Sequence, residues 1–359
     1  IDDNTLVVFT SDNGPSKESY LPKEYASYEA DFFNTFGPFD GIKRDLLDGG
    51  LRTATIAWWP GAIKPNTVVN TPNVSYDWLP TFVNATGQAA PVRFDGVSLL
   101  PSLTGKGKQD ESLVYSEYFF PGSSPDYPEF AAAHRNRKRQ QMQMLRFGDT
   151  VAIRYNIQSN ADDFEIYHIK SDPQQAKNLA SQSPALQDYL KNRVLQIRKG
   201  DSSAARTYDK ALIPAVTAPA NLQQGLTANT YTSNTPWIPS TAGLKKISAK
   251  VVATPSLSGI APNLVAFDGY IYVPEDGTYT FSLTAGYKAF FTIHDIKAID
   301  ADYGYKANTA KIVSLKLTKG YHPISLYSLT GKSSSKQLKL QWSYNNGVLK
   351  HIPAKAFFH

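Results

Sequence analysis

Two side chains that can bind a cation follow an apolar, strand-like segment near the start of the sequence. The segment TLVVFT (5–10) runs directly into Ser11, Asp12, Asn13 and Gly14. A carboxylate and an amide carbonyl are hard oxygen donors, and Ca²⁺ takes about six to eight such ligands. Because α/β folds place their sites at the carboxyl ends of strands, Asp12 and Asn13 are candidate calcium ligands. Taken alone, Asp-Asn-Gly is more often an ordinary turn.

Basic residues occur in two other places that could hold an anion. The segment GPFDGIKRDLLDGGLRTATIAWWPG (37–61) carries Lys43 and Arg44 between glycine-rich turns. A lysine in such a loop is usually solvated, but next to a cation site it could hold an anionic group. The densest basic cluster, HRNRKRQ (134–140), begins with His134 and Arg135. It could contact a substrate, although a solvated charge run before a strand is the favoured interpretation.

The elements around these residues follow an α/β pattern. Segments 5–10 and 53–59 are short and β-branched, as expected of strands covered on both faces of a parallel sheet. Residues 75–87 have helical spacing, with Pro80 in the first turn. Further along we expect a strand at 113–120, three antiparallel strands within 141–169, and an amphipathic helix at 184–200 with Leu186, Tyr189, Leu190 and Val194 on one face.

The sequence changes character after residue 210. Residues 211–225 are small, proline-bearing and uncharged, which is typical of a linker. Residues 226–359 alternate apolar and polar positions between glycines, which predicts an all-β antiparallel sandwich. We therefore expect an α/β part over 1–210, whose residues 110–200 form a small antiparallel sheet and helix, then the linker, then the sandwich.

Composition excludes several classes of site. The 359 residues contain no cysteine, so disulfides, zinc–thiolate sites and a cysteine nucleophile are excluded within this sequence. No apolar run reaches the roughly 18 residues that a membrane span needs. There is no signal-peptide pattern, so we expect any secretion signal to have been removed or to lie upstream.

The charge is distributed unevenly along the chain. Residues 214–359 hold 14 lysines, no arginine and 6 acidic residues, a formal charge of +8, whereas residues 1–213 hold 23 basic and 25 acidic residues. Residues 214–359 could bind a polyanion, or their lysines could be ordinary solvated surface residues. We favour the second interpretation. Without arginine for bidentate base contacts, no nucleic-acid partner is expected.

Several segments, taken in order, resemble a known family. TLVVFTSDNG, GIKRDLLDGGLRTATIAWWPG, SYDWLPTF, FDGVSLLPSLTGK, MLRFGD and FEIYHIKSDPQQAKNLAS resemble the second half of a type I, formylglycine-dependent sulfatase of the alkaline-phosphatase-like superfamily. This resemblance covers about residues 4–200. Over about 225–359, FDGYIYVPEDGTYTFSLTAG and LTKGYHPISLYSL resemble a protective-antigen-type β-sandwich, a module that accompanies many glycan-active enzymes.

The resemblance implies roles for particular residues. Asp12 and Asn13 match calcium ligands of the family, and Lys43 matches its sulfate-binding catalytic lysine. Arg44, His134 and Arg135 are further candidate substrate contacts. The nucleophile motif, Cys or Ser followed by x-P-S-R, does not occur in the sequence. We therefore expect the formylglycine to lie on an N-terminal half of the same enzyme that is missing from this sequence. Without that half, the parallel sheet would lack some of its strands and would have an unpaired edge.

The resemblance implies a calcium-dependent hydrolase of sulfate esters on a sulfated carbohydrate, periplasmic or secreted. One alternative is a non-catalytic carbohydrate-binding protein that keeps a sulfatase scaffold. Another keeps the enzyme but changes the bond to a phosphate ester. Superfamily members of that kind surround two metals with more His and Asp than this sequence offers, so sulfate is favoured.

Overall fold

The chain forms two compact units in a computed structural model that describes residues 2–16, 33–201, 203–261, 263–331 and 334–359. Described residues of 1–81, 95–191 and 206–208 make up the first unit, and those of 82–94, 192–205 and 209–359 make up the second. No helix in these described ranges is long and apolar enough to cross a membrane.

The first two strands of the first unit differ from the sequence-based expectation. Strand β1 (Val7–Phe9) pairs with β2 (Ile56–Trp58) in an antiparallel register, with Val8 opposite Ala57. Both strands are exposed where burial on two faces was expected: Phe9 is 66% exposed and Ile56 64%. The prediction of burial was wrong because, within the described residues, these two short strands form a sheet by themselves.

Four helices are described. They are α1 (Asp48–Leu51), α2 (Trp78–Ala85), α3 (Leu100–Thr104) and α4 (Pro184–Ile197). Pro80 lies in the first turn of α2, as predicted, where its missing N–H has no helical partner to lose. In α4, Leu190 and Val194 are fully buried, whereas Tyr189, predicted on the same face, is 51% exposed and contacts the edge of the Phe147 ring.

A four-stranded antiparallel sheet forms the core of the first unit. Its order is β3 (Val114–Ser123), β4 (Lys138–Phe147), β5 (Thr150–Arg154) and β6 (Glu165–His168). This confirms the small antiparallel sheet predicted over 110–200. Alternating side chains of β3, β4 and β5, including Met142, Met144 and Ile153, pack with Leu46 and Leu47 in one apolar cluster. The segment that contains Lys43 is therefore fixed to one face of this sheet.

The second unit contains two antiparallel sheets. Its strands are β7 (Leu226–Tyr231), β8 (Ser248–Val252), β9 (Leu264–Val273), β10 (Gly277–Ala285), β11 (Lys288–Ile293), β12 (Ile296–Ala301), β13 (Lys311–Leu317), β14 (Gly320–Leu329), β15 (Leu338–Tyr344), β16 (Lys350–His351) and β17 (Phe357–Phe358). One sheet has the order β12-β11-β14-β9-β7-β8 with β17 beside β9, and the other has the order β13-β10-β15-β16.

The core of the second unit lies between inward-facing positions of these strands. In β13, Val313, Leu315 and Leu317 are buried while the residues between them are exposed, which is the two-residue period of a half-buried strand. Phe281, Phe291 and Trp342 are among the aromatic residues in this core. The antiparallel sandwich predicted from the alternation is confirmed.

The proline-bearing segment before the sandwich is hydrogen-bonded to it. Ile213 N donates to Lys316 O at 2.7 Å, and Val216 N donates to Tyr321 O at 2.9 Å. Residues 213–216 thus extend along β13 and β14 instead of running free.

Two histidines form a buried pair in the second unit. His322 Nε2 donates to Thr318 O at 2.8 Å, so His322 Nδ1 accepts from His294 Nε2 at 2.8 Å. Burial, the neighbouring His322 and the charge of Arg193 lower the pKa of His294 to about 3. Burial also lowers the pKa of His322. Both imidazoles are therefore neutral in the folded chain at pH 7.

Acidification is expected to destabilise the sandwich through this pair. The unfolded histidines bind protons near pH 6.5, so unfolding takes up protons once the pH falls below that value. The stabilisation is complete above about pH 6.5 and is lost towards about pH 3, by at most about 1.4 kcal/mol per pH unit for each proton. Calorimetric unfolding between about pH 7 and pH 4 should show this slope.

In the double variant His294→Gln/His322→Gln, the free energy of unfolding should depend less on pH, whatever its value at pH 7. The exposed His351→Gln is the matched control and should keep the wild-type slope. An unchanged slope in the double variant would contradict the assignment.

Candidate active site

The turn after β1 carries the two predicted oxygen ligands. Asp12 is exposed and Asn13 is partly exposed. Asn13 Nδ2 donates to Asp12 Oδ1 at 2.9 Å. Because the amide nitrogen is used in this way, its oxygen is the group left to bind a cation.

The turn is fixed against the Lys43 loop by backbone contacts. Gly14 N donates to Gly50 O at 2.9 Å, and Lys43 N donates to Pro15 O at 2.7 Å. A Cβ at Gly14 would lie 1.9 Å from Gly49 O, so only glycine permits this approach. The turn of Asp12 and Asn13 and the loop of Lys43, about 30 residues further along the chain, are therefore neighbours.

A buried carboxylate holds the Lys43 loop in place. Asp45 is 1% exposed and accepts from Arg139 Nε and Nη2, both at 2.8 Å. It also accepts from Ser124 Oγ at 2.6 Å and from Ile42 N at 3.1 Å. The bidentate pair with Arg139 ties the loop to β4, where two parallel N–H···O bonds fix both position and orientation.

A second buried carboxylate involves one of the predicted substrate contacts. Asp40 and His134 are both fully buried, and His134 Nδ1 lies 2.7 Å from Asp40 Oδ2. Ala131 N donates to the same oxygen at 2.8 Å. His134 Nε2 is buried and has no hydrogen-bond partner among the described residues. In this conformation the His134 side chain is held by Asp40, near the start of the Lys43 loop, and does not face solvent.

The two predicted arginine contacts also have partners within the first unit. The Arg44 guanidinium lies 4.5 Å from the centre of the Phe120 ring, and its backbone has a left-handed φ of 80°. Arg135 Nε donates to Phe130 O at 2.8 Å, and its Nη2 donates to Pro128 O. Arg135 is thereby used in fixing the 128–135 loop, whereas Arg44 stays next to Lys43 on an aromatic face.

A tyrosine completes the support of the loop. Tyr155 Oη accepts from Leu46 N at 3.0 Å. Burial, followed by the charge of Asp45, raises the pKa of Tyr155 above its usual value. The phenol therefore stays neutral, and the loop rests on a group that does not titrate near pH 7.

A cavity of about 690 Å³ opens beside the turn in the first unit. Asp12, Asp48, Arg52 and Arg146 give it a charged side, and Ile56 and Val69 are among its apolar lining residues. Within the cavity, Asp48 accepts from Arg52 Nη2 at 2.5 Å. Asp12 is the residue that joins the predicted ligand turn to this cavity.

The residues present fit part of a calcium site. Adjacent carboxylate and amide oxygens at Asp12 and Asn13 are the donor types that Ca²⁺ prefers. Within the described residues no group of three or more His, Cys, Asp or Glu side chains could hold a metal. The two oxygens are thus suitable ligands, and a complete coordination shell needs further ones.

Two family models match parts of the chain. The model of the family "N-sulphoglucosamine sulphohydrolase, C-terminal" matches residues 35–200. The PA14 domain model matches residues 223–355. The resemblances to the sulfatases and to the protective-antigen-type sandwich are confirmed: residues 35–200 are similar to the C-terminal part of a sulfatase, and residues 223–355 are similar to a PA14 domain.

Individual relatives are sulfatases as well. The chain is 35% identical over 117 residues to the N-acetylgalactosamine-6-sulfatase of Canis lupus familiaris, covering 32% of this chain and 21% of the relative. It is 27% identical over 182 residues to the N-acetylglucosamine-6-O-sulfatase of Bacteroides thetaiotaomicron, covering 49% and 26%. It is 30% identical over 234 residues to human arylsulfatase A, covering 61% and 42%. The chain thus spans less than half the length of these relatives.

The sequence did not identify the residues that support the Lys43 loop. Arg139 and Tyr155 lie 94 and 109 residues along the chain from Asp45 and Leu46, the loop residues to which they bond when the loop packs on the sheet. One signal was available in DGIKRDLLDGG, where Asp40 and Asp45 flank the basic pair and Asp48 follows two leucines. Their partners could not be read from local spacing.

Proposed function

We propose that the protein of which this chain is part hydrolyses sulfate esters on a sulfated carbohydrate. The observation that carries the proposal is the contact between Lys43 N and Pro15 O, which holds the lysine loop against the Asp12–Asn13 turn. This contact supports a site in which oxygen ligands for a cation and the Lys43 ammonium group serve one anionic group. The substrate class follows from the names of the relatives, two of which are sulfatases of amino sugars.

Each residue has a proposed role. Asp12 and Asn13 would hold Ca²⁺, which when bound supplies positive charge beside the sulfate. The Lys43 ammonium donates hydrogen bonds to sulfate oxygens and stabilises the charge that develops as the ester bond breaks. Arg44 lies next in the chain and adds a second cation. We leave His134 and Arg135 out of this site because their polar groups are used inside the fold.

The nucleophile is proposed to be a formylglycine on an N-terminal half of the same enzyme. The exposed apolar side chains of β1 and β2 support this, since Val7, Phe9, Ile56 and Trp58 are each at least 48% exposed. Such a surface is what remaining strands of a larger sheet would cover. We further propose the domain division 1–210, 211–225 and 226–359, and a periplasmic or secreted location.

Sulfate release by the complete protein tests the proposal. A sulfated oligosaccharide should lose sulfate in the presence of Ca²⁺, and a chelator should abolish the release until Ca²⁺ is restored. A phosphate ester of the same alcohol should be a poor substrate. Glycan binding without sulfate release would instead support the carbohydrate-binding alternative, and hydrolysis of the phosphate ester would support the phosphatase alternative.

The variant Asp12→Ala is expected to weaken calcium binding by at least about tenfold, because a charged ligand is lost from the site. Calorimetric titration of the complete protein with Ca²⁺ measures this directly. Asp110→Ala removes an exposed aspartate of the same unit and should leave the affinity unchanged. Equal affinities in the two variants would exclude Asp12 as a ligand.

A further inference from the structure

An aromatic pair lies on β3 beside the Lys43 loop, with Tyr118 exposed and Phe120 partly buried against the core. Tyr118 and Phe120 stack with ring centres 6.3 Å apart and planes only 4° from parallel. Tyr118 is 41% exposed, which is large for an aromatic side chain in a strand. The Arg44 guanidinium lies over the other ring, 4.5 Å from the centre of Phe120.

The pair lies on the same face of the sheet as the proposed site. Tyr118 is opposite Met142, whose side chain packs with Leu46 and Leu47 of the loop. Phe119 points to the other face, because successive side chains of a strand alternate. Its partner position, Gln141, bonds there to the Tyr208 hydroxyl. Tyr118 and Phe120 therefore lie on the face of the sheet against which the Lys43 loop packs, next to Arg44.

This combination has the chemistry of a sugar subsite. The face of an aromatic ring offers an apolar plane that matches the C–H face of a pyranose, and a tyrosine adds a hydroxyl for hydrogen bonding. The neighbouring Arg44 guanidinium complements sulfate. Arg44 keeps a left-handed φ of 80°, and non-glycine residues hold such strained backbone mainly where the surroundings over-determine it.

We propose that Tyr118, supported by Phe120, forms a stacking platform for a pyranose ring of the sulfated carbohydrate. The proposal rests on the proposed function, since it takes the sulfate to be bound at Lys43. It adds a specificity determinant: a substrate with a sugar ring gains from the platform, whereas a small aryl sulfate that reaches only the sulfate-binding group does not.

Steady-state kinetics of Tyr118→Ala in the complete protein tests the platform. KM for a sulfated oligosaccharide should rise roughly tenfold, the scale of one lost aromatic contact. Both kcat on that substrate and kcat/KM on a small aryl sulfate should stay near wild type. Tyr118→Trp should keep the low KM. Phe119→Ala is the matched control, because Phe119 is similarly exposed, at 47%, on the opposite face.

Other outcomes would overturn the platform. An unchanged KM in Tyr118→Ala, an equal rise in Phe119→Ala, or a lowered Tm with unchanged KM would show that Tyr118 packs against protein. If the wild type releases no sulfate, the proposed function fails. Calorimetric titration with the same oligosaccharide then tests the platform independently of sulfate release. Weaker binding by Tyr118→Ala than by Phe119→Ala supports the platform, and equal binding contradicts it.

Discussion

Replacing Lys43 by alanine in the complete protein is expected to lower kcat for sulfate ester hydrolysis by about 10²–10³, the cost of removing one preorganised donor from a developing charge. The effect should be large because the loop is fixed before the substrate arrives. Lys43 N is bonded to Pro15 O, and Asp45 in the same loop is bonded to Arg139. The backbone that carries the lysine is thereby positioned by the fold before the reaction begins, which lowers the entropic cost of bringing its ammonium to the sulfate.

The measurement is steady-state kinetics on a sulfated oligosaccharide, with Tm as a check of folding. Lys43→Arg should retain part of the rate because it keeps the charge but not the point geometry of an ammonium. Lys177→Ala removes an exposed lysine of the same unit and should behave as wild type. A Lys43→Ala variant with near-normal kcat would remove this lysine from the site.

Replacing Arg139 by methionine is expected to destabilise the first unit by about 3–5 kcal/mol, because it leaves the Asp45 carboxylate buried without its cation. Both side chains are almost completely buried, at 6% and 0% exposed. Ser124 and Ile42 would remain as hydrogen-bond donors to Asp45, but neither carries a charge. The loss should appear in urea unfolding of the complete protein.

A double-mutant cycle separates the charge from the packing. Asp45→Asn/Arg139→Met should recover part of the stability lost in Arg139→Met, since no unpaired charge remains. Lys191→Met is the control: its partner Asp163 is 72% exposed, so the loss should stay below about 1 kcal/mol. Equal losses in Arg139→Met and Lys191→Met would show that the buried pair does not hold the loop.

The predictions for Lys43 and Arg139 concern the same structural feature, the Lys43 loop. The Lys43 loop carries the proposed catalytic cation, and Arg139 on β4 and Tyr155 directly after β5 keep it in place. Partial loosening, as in Arg139→Lys, should therefore reduce kcat before it unfolds the protein, because a lysine cannot reproduce the bidentate contact with Asp45. Kinetics and urea unfolding on the same variant distinguish the two effects.

The sequence by itself determined the local features. Alternation in segments such as KIVSLKL predicted strands of the sandwich, and helical spacing with Pro80 predicted the start of α2. Both predictions depend only on residues close together in sequence, because the backbone geometry of a strand or a helix fixes the spacing of side chains on one face. The ordered sulfatase-like segments likewise pointed to Asp12, Asn13 and Lys43, which stay in the proposed site.

Only the tertiary structure decided which polar residues are available to a ligand. His134 and Arg135 look like surface cations in the sequence, yet His134 is buried on Asp40 and Arg135 bonds to backbone carbonyls. Tyr189 has the spacing of a buried residue but is half exposed, and Tyr118 is left open beside Arg44. The physical reason is that burial depends on contacts between distant segments, which residue type and spacing do not encode.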